Sequence, residues 1–336
     1  MTPATILRPL VAVLFVVSLS SAAAAQQLKQ FTHFYVFGDS LADTGNVWLA
    51  SQRLGTDPAP PPSDSPHRTY FEGRFSNGPI AVEYLWQRVS KAKPGSKHGL
   101  QPYLSEPTLR DVAVNFAFGG TGTPPVDTTP GGLNAPGLLG QIDLYRATLA
   151  GAPAPAGALY AIVTGANDYR TDPYNAPMDP NEVVGNIAGG VQELYASGAR
   201  TILVLGLPDL GRVPYLTPEQ RAQGSGLTAY HNALLAGAIA QLNATLPGAR
   251  LIFADINEAF AFLPSTMDQR TPALDTLAPP LGGVPMSACL FVNPAFCTNV
   301  TLKLKKKESF LFWDILHPTT QAHELLAQFL YARLTQ

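Results

Sequence analysis

Three side chains in this sequence have the types needed for nucleophilic chemistry on a carbonyl. Ser40 lies in "VFGDSLADTGN", directly behind a short run of β-branched and aromatic residues. Asp314 and His317 lie three apart in "FLFWDILHPTTQAH", with Pro318 following. A serine hydroxyl is a weak nucleophile near neutral pH and needs a base to accept its proton during attack. A neutral imidazole supplies that base, and a carboxylate on its other nitrogen fixes the tautomer and steadies the imidazolium. A spacing of three, about one turn, lets a carboxylate meet an imidazole. Each string also has a plain structural use. Gly38-Asp39-Ser40 opens a helix equally well, because Asp and Ser both satisfy free N–H groups in a first turn. Asp314 could cap the last helix, with His317 an ordinary boundary residue. The two strings by themselves leave both readings open.

Attack on a carbonyl also needs donors for the negative charge that develops on its oxygen. "NFAFGGTGT" (Asn115–Thr123) pairs Gly119 with Gly120, whose backbone N–H groups can approach a substrate closely. "VTGANDYR" (Val163–Arg170) carries Asn167, whose side-chain amide can donate. A tight turn and a helix cap are the corresponding structural readings. No cluster of His, Cys, Asp or Glu has metal-ligand spacing, so neither metal nor cofactor is expected.

The elements around these residues decide whether they can meet. "HFYVFG", "DVAVNFA", "ALYAIVTG", "TILVLG" and "RLIFAD" are short apolar runs, most of them closed by Gly or Asp. Continuous apolar runs suit strands buried on both faces of a parallel sheet. Helical periodicity covers residues 80–89, 183–195, 227–246 and 321–334. Strands alternating with helices predict one α/β domain, with helices on both faces of a mainly parallel sheet. Residues 57–66, 122–140 and 263–307 show little periodicity, and long loops of this kind gather over strand ends. Ser40, Gly119 and Asn167 each follow a predicted strand, so all three fall at one sheet edge.

Bulk properties narrow the partners. The 336 residues are 46% hydrophobic and 14% charged, with a formal charge of −2. That balance excludes a disordered chain and a nucleic-acid-binding surface. Arg8, the apolar run 10–19 and the small-residue tract 20–25 read as a secretory signal cut near Ala25-Gln26. The run falls short of the roughly 20 residues that span a bilayer. The expectation is a signal peptide at 1–25, one domain at 26–336, and a secreted or periplasmic location. In an oxidising compartment Cys289 and Cys297 are expected to form one disulfide pinning a local loop. The basic run "LKLKKKE" (Leu302–Glu308) reads as a solvated loop, with contact to anionic headgroups as the other option.

Four blocks, "FGDSLADTGN", "NFAFGGTGT", "GAND" and "DILHP", occur in this order from Phe37 to Pro318. In that order they resemble the GDSL-type serine hydrolases of the SGNH superfamily. "GRFSNGP" (Gly73–Pro79) and "LFWD" resemble its larger lipase and phospholipase branch. The resemblance implies a three-layer, flavodoxin-like α/β/α fold with long loops over the strand C-terminal edge. It implies that Ser40 is the nucleophile, His317 the base and then acid, and Asp314 its orienting residue. The oxyanion hole would comprise the N–H groups of Ser40 and Gly119 and the Asn167 amide, with Gly120 the competing assignment. In that case Ser40 would also cap the helix that follows it. An exported esterase or lipase acting on small or lipid acyl esters is the expected function, and an acyltransferase or phospholipase with the same triad the alternative. A catalytically silent binding or adhesion module is disfavoured because all four blocks are intact. Nothing in the sequence speaks to oligomeric state.

Overall fold

The computed structural model describes residues 31–65, 69–96, 98–106, 113–155, 157–213, 216–262 and 311–336. The expected signal peptide, the Cys289–Cys297 pair and the basic run at 302–308 lie outside the described residues. Strands β1 (His33–Gly38), β2 (Gln101–Pro102), β3 (Ala113–Asn115), β6 (Ala158–Val163), β7 (Thr201–Leu205) and β8 (Arg250–Ala254) form one sheet. Its order is β2-β3-β1-β6-β7-β8, and every pairing is parallel. A small antiparallel hairpin, β4 (Val126–Thr128) with β5 (Asn134–Pro136), stands apart.

The five apolar runs read from the sequence are thus strands of one sheet, and their lack of alternation has a direct cause. On β1, Phe34 and Val36 pack against one face with α2 (Ala81–Ser90) and α6 (Thr320–Leu334). Tyr35 and Phe37 pack on the other, with α3 (Leu138–Leu149), α4 (Pro180–Ala196) and α5 (Pro218–Thr245). Successive side chains of a strand point to opposite faces, so a strand covered on both must be apolar throughout. The second face is aromatic: Tyr35, Phe37, Phe116, Tyr145 and Tyr160 pack in edge-on, tilted and stacked pairs with centroids 4.8 to 5.8 Å apart. Such pairs add about 0.5–1.5 kcal/mol each beyond their buried area.

The chain leaves β1 toward β3 on one side and later fills β6, β7 and β8 on the other. The order reverses between β1 and β6, and at such a switch point the loops diverge and open a crevice at the strand C-terminal ends. Ser40 follows β1, and Asn167 follows β6. Sheet topology therefore places both at the crevice.

Gly38 ends β1 with φ +154, and a Cβ there would lie 2.0 Å from the carbonyl oxygen of Val163. The strands come this close because Asp39 N–H donates to that same oxygen at 3.0 Å. The buried Gln141 of α3 locks the Gly38 peptide edge, accepting from its N–H at 2.7 Å and donating to its carbonyl at 2.9 Å. Gly38→Ala is expected to cost more than about 4 kcal/mol, because backbone rather than a movable side chain fills the space. Gly185→Ala on α4 meets nothing within 4 Å and should be neutral or slightly stabilising. Thermal unfolding of the two variants checks this; equal melting points would refute it.

Some expected boundaries differ. Helix α1 starts at Asn46 and ends at Arg53, so no helix opens at Ser40 and Ser40 caps none. Asp43 serves that end instead: its Oδ1 accepts from the N–H groups of Gly45 and Asn46, its Oδ2 from Val47. Helix α3 begins inside the stretch read as irregular, behind Pro136-Gly137, with no side-chain cap to announce it. Helix α5 begins at Pro218, nine residues before the periodicity that predicted it. Among the described residues no helix is long and apolar enough to cross a membrane.

Candidate active site

Ser40 sits in a tight turn rather than a helix. The N–H groups of Ala42 and Asp43 both donate to the Asp39 carbonyl, and that of Leu41 to Asp39 Oδ1. The turn leaves the Ser40 N–H with no acceptor among the described residues. Ser40 Oγ lies 2.8 Å from His317 Nε2.

The loop bearing His317 folds back on itself. Trp313 N–H donates to the His317 carbonyl at 2.7 Å and Thr319 N–H to that of Leu311 at 3.0 Å. Asp314 does not cap the last helix, and each of its carboxylate oxygens has its own task within the loop. Asp314 Oδ1 accepts from the N–H groups of Leu316 and His317, both at 2.7 Å, and so caps this turn. Asp314 Oδ2 takes His317 Nδ1, also at 2.7 Å. The cap of α6 is Thr319, whose hydroxyl accepts from Ala322 N–H.

A carboxylate cannot donate, so the ring proton belongs on Nδ1 and Nε2 is free to accept from Ser40. Asp314 is fully buried, and burial alone would raise its pKa. The charge of His317, its hydrogen bond and the two turn N–H groups outweigh that and hold Asp314 below the ordinary carboxylate range.

The segment "GRFSNGP" braces this loop, a role its sequence did not announce. Ser76 Oγ donates to the Pro318 carbonyl, Asn77 Oδ1 accepts from Thr320 N–H, and Thr320 Oγ1 donates to the Pro79 carbonyl. The Phe75 ring lies 5.1 Å from the His317 ring. A Cβ on Gly119 would sit 2.2 Å from the Phe75 ring, so the glycine there makes room for it. A second contact missed from the sequence is Tyr70, buried ahead of this segment, whose hydroxyl donates to Asp314 Oδ2 at 2.7 Å.

The donor loop after β3 departs from expectation at one atom. Gly119 N–H donates to Asp43 Oδ2 at 2.9 Å and is spoken for within the protein. The Gly120 N–H has no acceptor among the described residues, and its residue has φ +80, which suits glycine. Arg170 holds the far side of this loop, donating to the carbonyls of Gly120 and Thr128. Asn46 and Asn115 tie the turn after β1 to the end of β3. Asn46 Nδ2 donates to the carbonyls of Asn115 and Ala117, and Asn115 Nδ2 to that of Ala42. Asn167 spends one amide hydrogen on the Thr121 carbonyl at 3.1 Å, leaving the other.

Ser40, Gly120, Asn167 and His317 all line one cavity of about 1140 Å³. Leu41, Val82, Leu205, Ile256, Leu311 and Leu326 form part of its apolar wall, and Pro60, Pro208 and Leu210 also reach it. Asp39 and His323 line it as well. Burial raises Asp39 to about 7 and lowers His323 to about 3. His231, buried beneath Tyr169 and bonded to its hydroxyl, is lowered by burial to about 4. His231 and His323 are therefore neutral core histidines near pH 7.

A profile of the family described as GDSL-like lipase/acylhydrolase matches residues 34–330. A GDSL esterase/lipase of Arabidopsis thaliana is 27% identical, covering 97% of this chain and 96% of its own length. The phosphatidylcholine-sterol acyltransferase of Aeromonas hydrophila is 28% identical over 91% of this chain and 90% of its own. Among solved structures, Axe2, an acetylxylan esterase from Geobacillus stearothermophilus, is 12% identical with a TM-score of 0.42, covering 91% of this chain and 96% of that one. Because the family profile runs from the strand before Ser40 into the helix after His317, the chain belongs to the GDSL-like lipase/acylhydrolase family and is a carboxylic ester hydrolase.

Proposed function

We propose that this chain is an exported serine hydrolase that cleaves acyl esters through an acyl-enzyme on Ser40. One observation carries the reading: Ser40 Oγ, His317 and Asp314 lie in an unbroken line of hydrogen bonds of 2.8 and 2.7 Å. Ser40 Oγ attacks the ester carbonyl carbon while its proton passes to His317 Nε2, and Asp314 steadies the imidazolium. His317 returns that proton to the departing alcohol. Water then attacks the acyl-enzyme, with His317 again the base, and releases the acid. The N–H groups of Ser40 and Gly120 and the spare amide hydrogen of Asn167 receive the oxyanion. Gly120 replaces Gly119 in this role because Asp43 occupies the Gly119 donor. Export rests on the leader pattern at residues 1–25.

Asn167→Ala is expected to lower kcat by roughly 10²–10³, the usual effect of removing one oxyanion donor. KM and the unfolding midpoint should change little. A kcat near that of the wild type would remove Asn167 from the hole.

The apolar wall and volume support an acyl chain as the group bound beside Ser40, since ligand sites of this size are commonly lined by apolar side chains. A series of nitrophenyl esters of rising chain length, run beside a phospholipid release assay, tests the substrate class. Turnover of none of them would overturn the proposal. The similarity to a phosphatidylcholine-sterol acyltransferase favours a second reading, in which an alcohol instead of water takes the acyl group. Product analysis with and without a sterol or glycerol acceptor separates the two.

A further inference from the structure

Asp314 is surrounded by donors to an unusual degree. Its side chain is fully buried, and four hydrogen bonds reach it from the described residues: two turn N–H groups on Oδ1, and His317 Nδ1 and Tyr70 Oη on Oδ2. The turn N–H groups belong to the same loop, but Tyr70 comes from 244 positions away and shares its oxygen with the imidazole. Its ring is held edge-on to Trp313, with centroids 6.5 Å apart, while Tyr70 N–H donates to the Pro62 carbonyl. The phenol is thus aimed at Asp314 by contacts that do not involve its hydroxyl.

We infer that Tyr70 is a positioning residue of the triad, whose hydroxyl sets the orientation of Asp314 Oδ2 and how strongly that oxygen holds the protonated imidazole. The inference rests on the proposed roles of Ser40, His317 and Asp314. A hydrogen bond to a carboxylate stabilises its charge and disperses part of it. The phenol therefore adds to the donors that favour the ionised form of a fully buried Asp314, at the cost of some of its pull on the imidazolium. Without the phenol, Oδ2 has among the described residues only His317 to satisfy it and binds the imidazolium more tightly. The protonated form of His317 is then favoured, so the catalytically competent neutral form is reached only at higher pH.

The variant that isolates the hydroxyl is Tyr70→Phe, which keeps the ring. The measurement is kcat/KM against pH for a nitrophenyl ester, together with the pH dependence of fluorophosphonate labelling of Ser40. Labelling reads the Ser40–His317 pair without the ester's own binding site. Tyr70→Phe is expected to move the acidic limb of both profiles upward by about half a pH unit. The plateau of kcat/KM should fall about 5-fold as Oδ2 loses its fixed direction. Among the described residues, Asp39 and His323 are two other titratable groups that the charge of His317 reaches. His323 stays neutral across this range, and Asp39 titrates in both proteins, so the difference between wild type and variant reports the phenol.

Replacing Tyr70 with 3-fluorotyrosine keeps the shape and makes the phenol a stronger donor, and should move the same limb downward. This arm also serves if Tyr70→Phe does not fold. Limbs that stay where they are in wild type, whatever the plateau does, would overturn the inference. A wild-type protein that fails to label at Ser40 would instead defeat the proposed triad, so the two failures are distinguishable.

Discussion

Ser40→Ala is expected to lower kcat for ester hydrolysis by about 10⁶-fold, the scale seen when a triad nucleophile or its base is removed. The reason is structural as well as chemical. Among the described residues the Ser40 hydroxyl has one partner, His317 Nε2, at 2.8 Å, so its loss removes the proposed nucleophile and leaves His317 in place. The turn that carries it is held by Asp39, whose carbonyl and carboxylate take the N–H groups of Leu41, Ala42 and Asp43. None of these contacts uses the Ser40 side chain, so the unfolding midpoint should stay within about a degree or two of wild type. A fluorophosphonate probe should label wild type and not the variant. His317→Ala should cost about as much, and the double variant no more than either, because the pair acts as one unit. Residual activity within 100-fold of wild type would mean that another group attacks the ester.

The second large effect is expected at Asp314. Asp314→Asn should lower kcat by about 10⁴ while leaving KM nearly unchanged. The isosteric amide has one oxygen and one NH₂. The turn N–H groups of Leu316 and His317 need an acceptor at Oδ1, so the NH₂ is driven to the Oδ2 position. There it donates to His317 Nδ1, which must give up its proton to accept. The proton moves to Nε2, and the atom facing Ser40 becomes a donor that cannot take the hydroxyl proton. The ring stays in place, so substrate still binds. A variant within 10-fold of wild-type kcat would show that Asp314 does not set the tautomer. Its stability should also change with pH in a known sense. The folded-state pKa of Asp314 is depressed, so its contribution is present above the unfolded carboxylate value and fades as pH falls through the folded one. Asn at this position should flatten that acid-side loss.

Much of the fold was legible because its signals are short in range. A strand buried on both faces must be apolar at every position, and His33–Gly38 reads so without knowledge of its neighbours. Helix α6 was located within one residue of its start from periodicity alone. The start of α5 was missed, although Thr217-Pro218-Glu219-Gln220 carries a capping box with proline at the first helical position. Helix α3 offered less. Its cap is a glycine without a side-chain bond, and Gln141, the residue that braces Gly38, is a buried polar group that reads as surface by type.

The candidate site divides in the same way. The residue types and block order marked Ser40, Asn167, Asp314 and His317, because hydroxyl, amide, carboxylate and imidazole keep their chemistry wherever they stand. The doubled glycine could not be resolved from its letters. Which N–H is already taken depends on Asp43, 76 positions away, accepting that of Gly119. Nor could Tyr70 be told from any other tyrosine, since only the docking of its loop aims the hydroxyl at Asp314. The sequence by itself determined the five apolar strands, their alternation with helices and the side-chain types offered at the candidate site, all of which follow from local backbone preference and side-chain type. Tertiary structure alone decided which donors are already taken, which residues brace the proposed triad and how Ser40 comes to face His317 across 277 positions. A hydrogen bond requires a few tenths of an ångström, and that precision arises only when distant segments pack against one another.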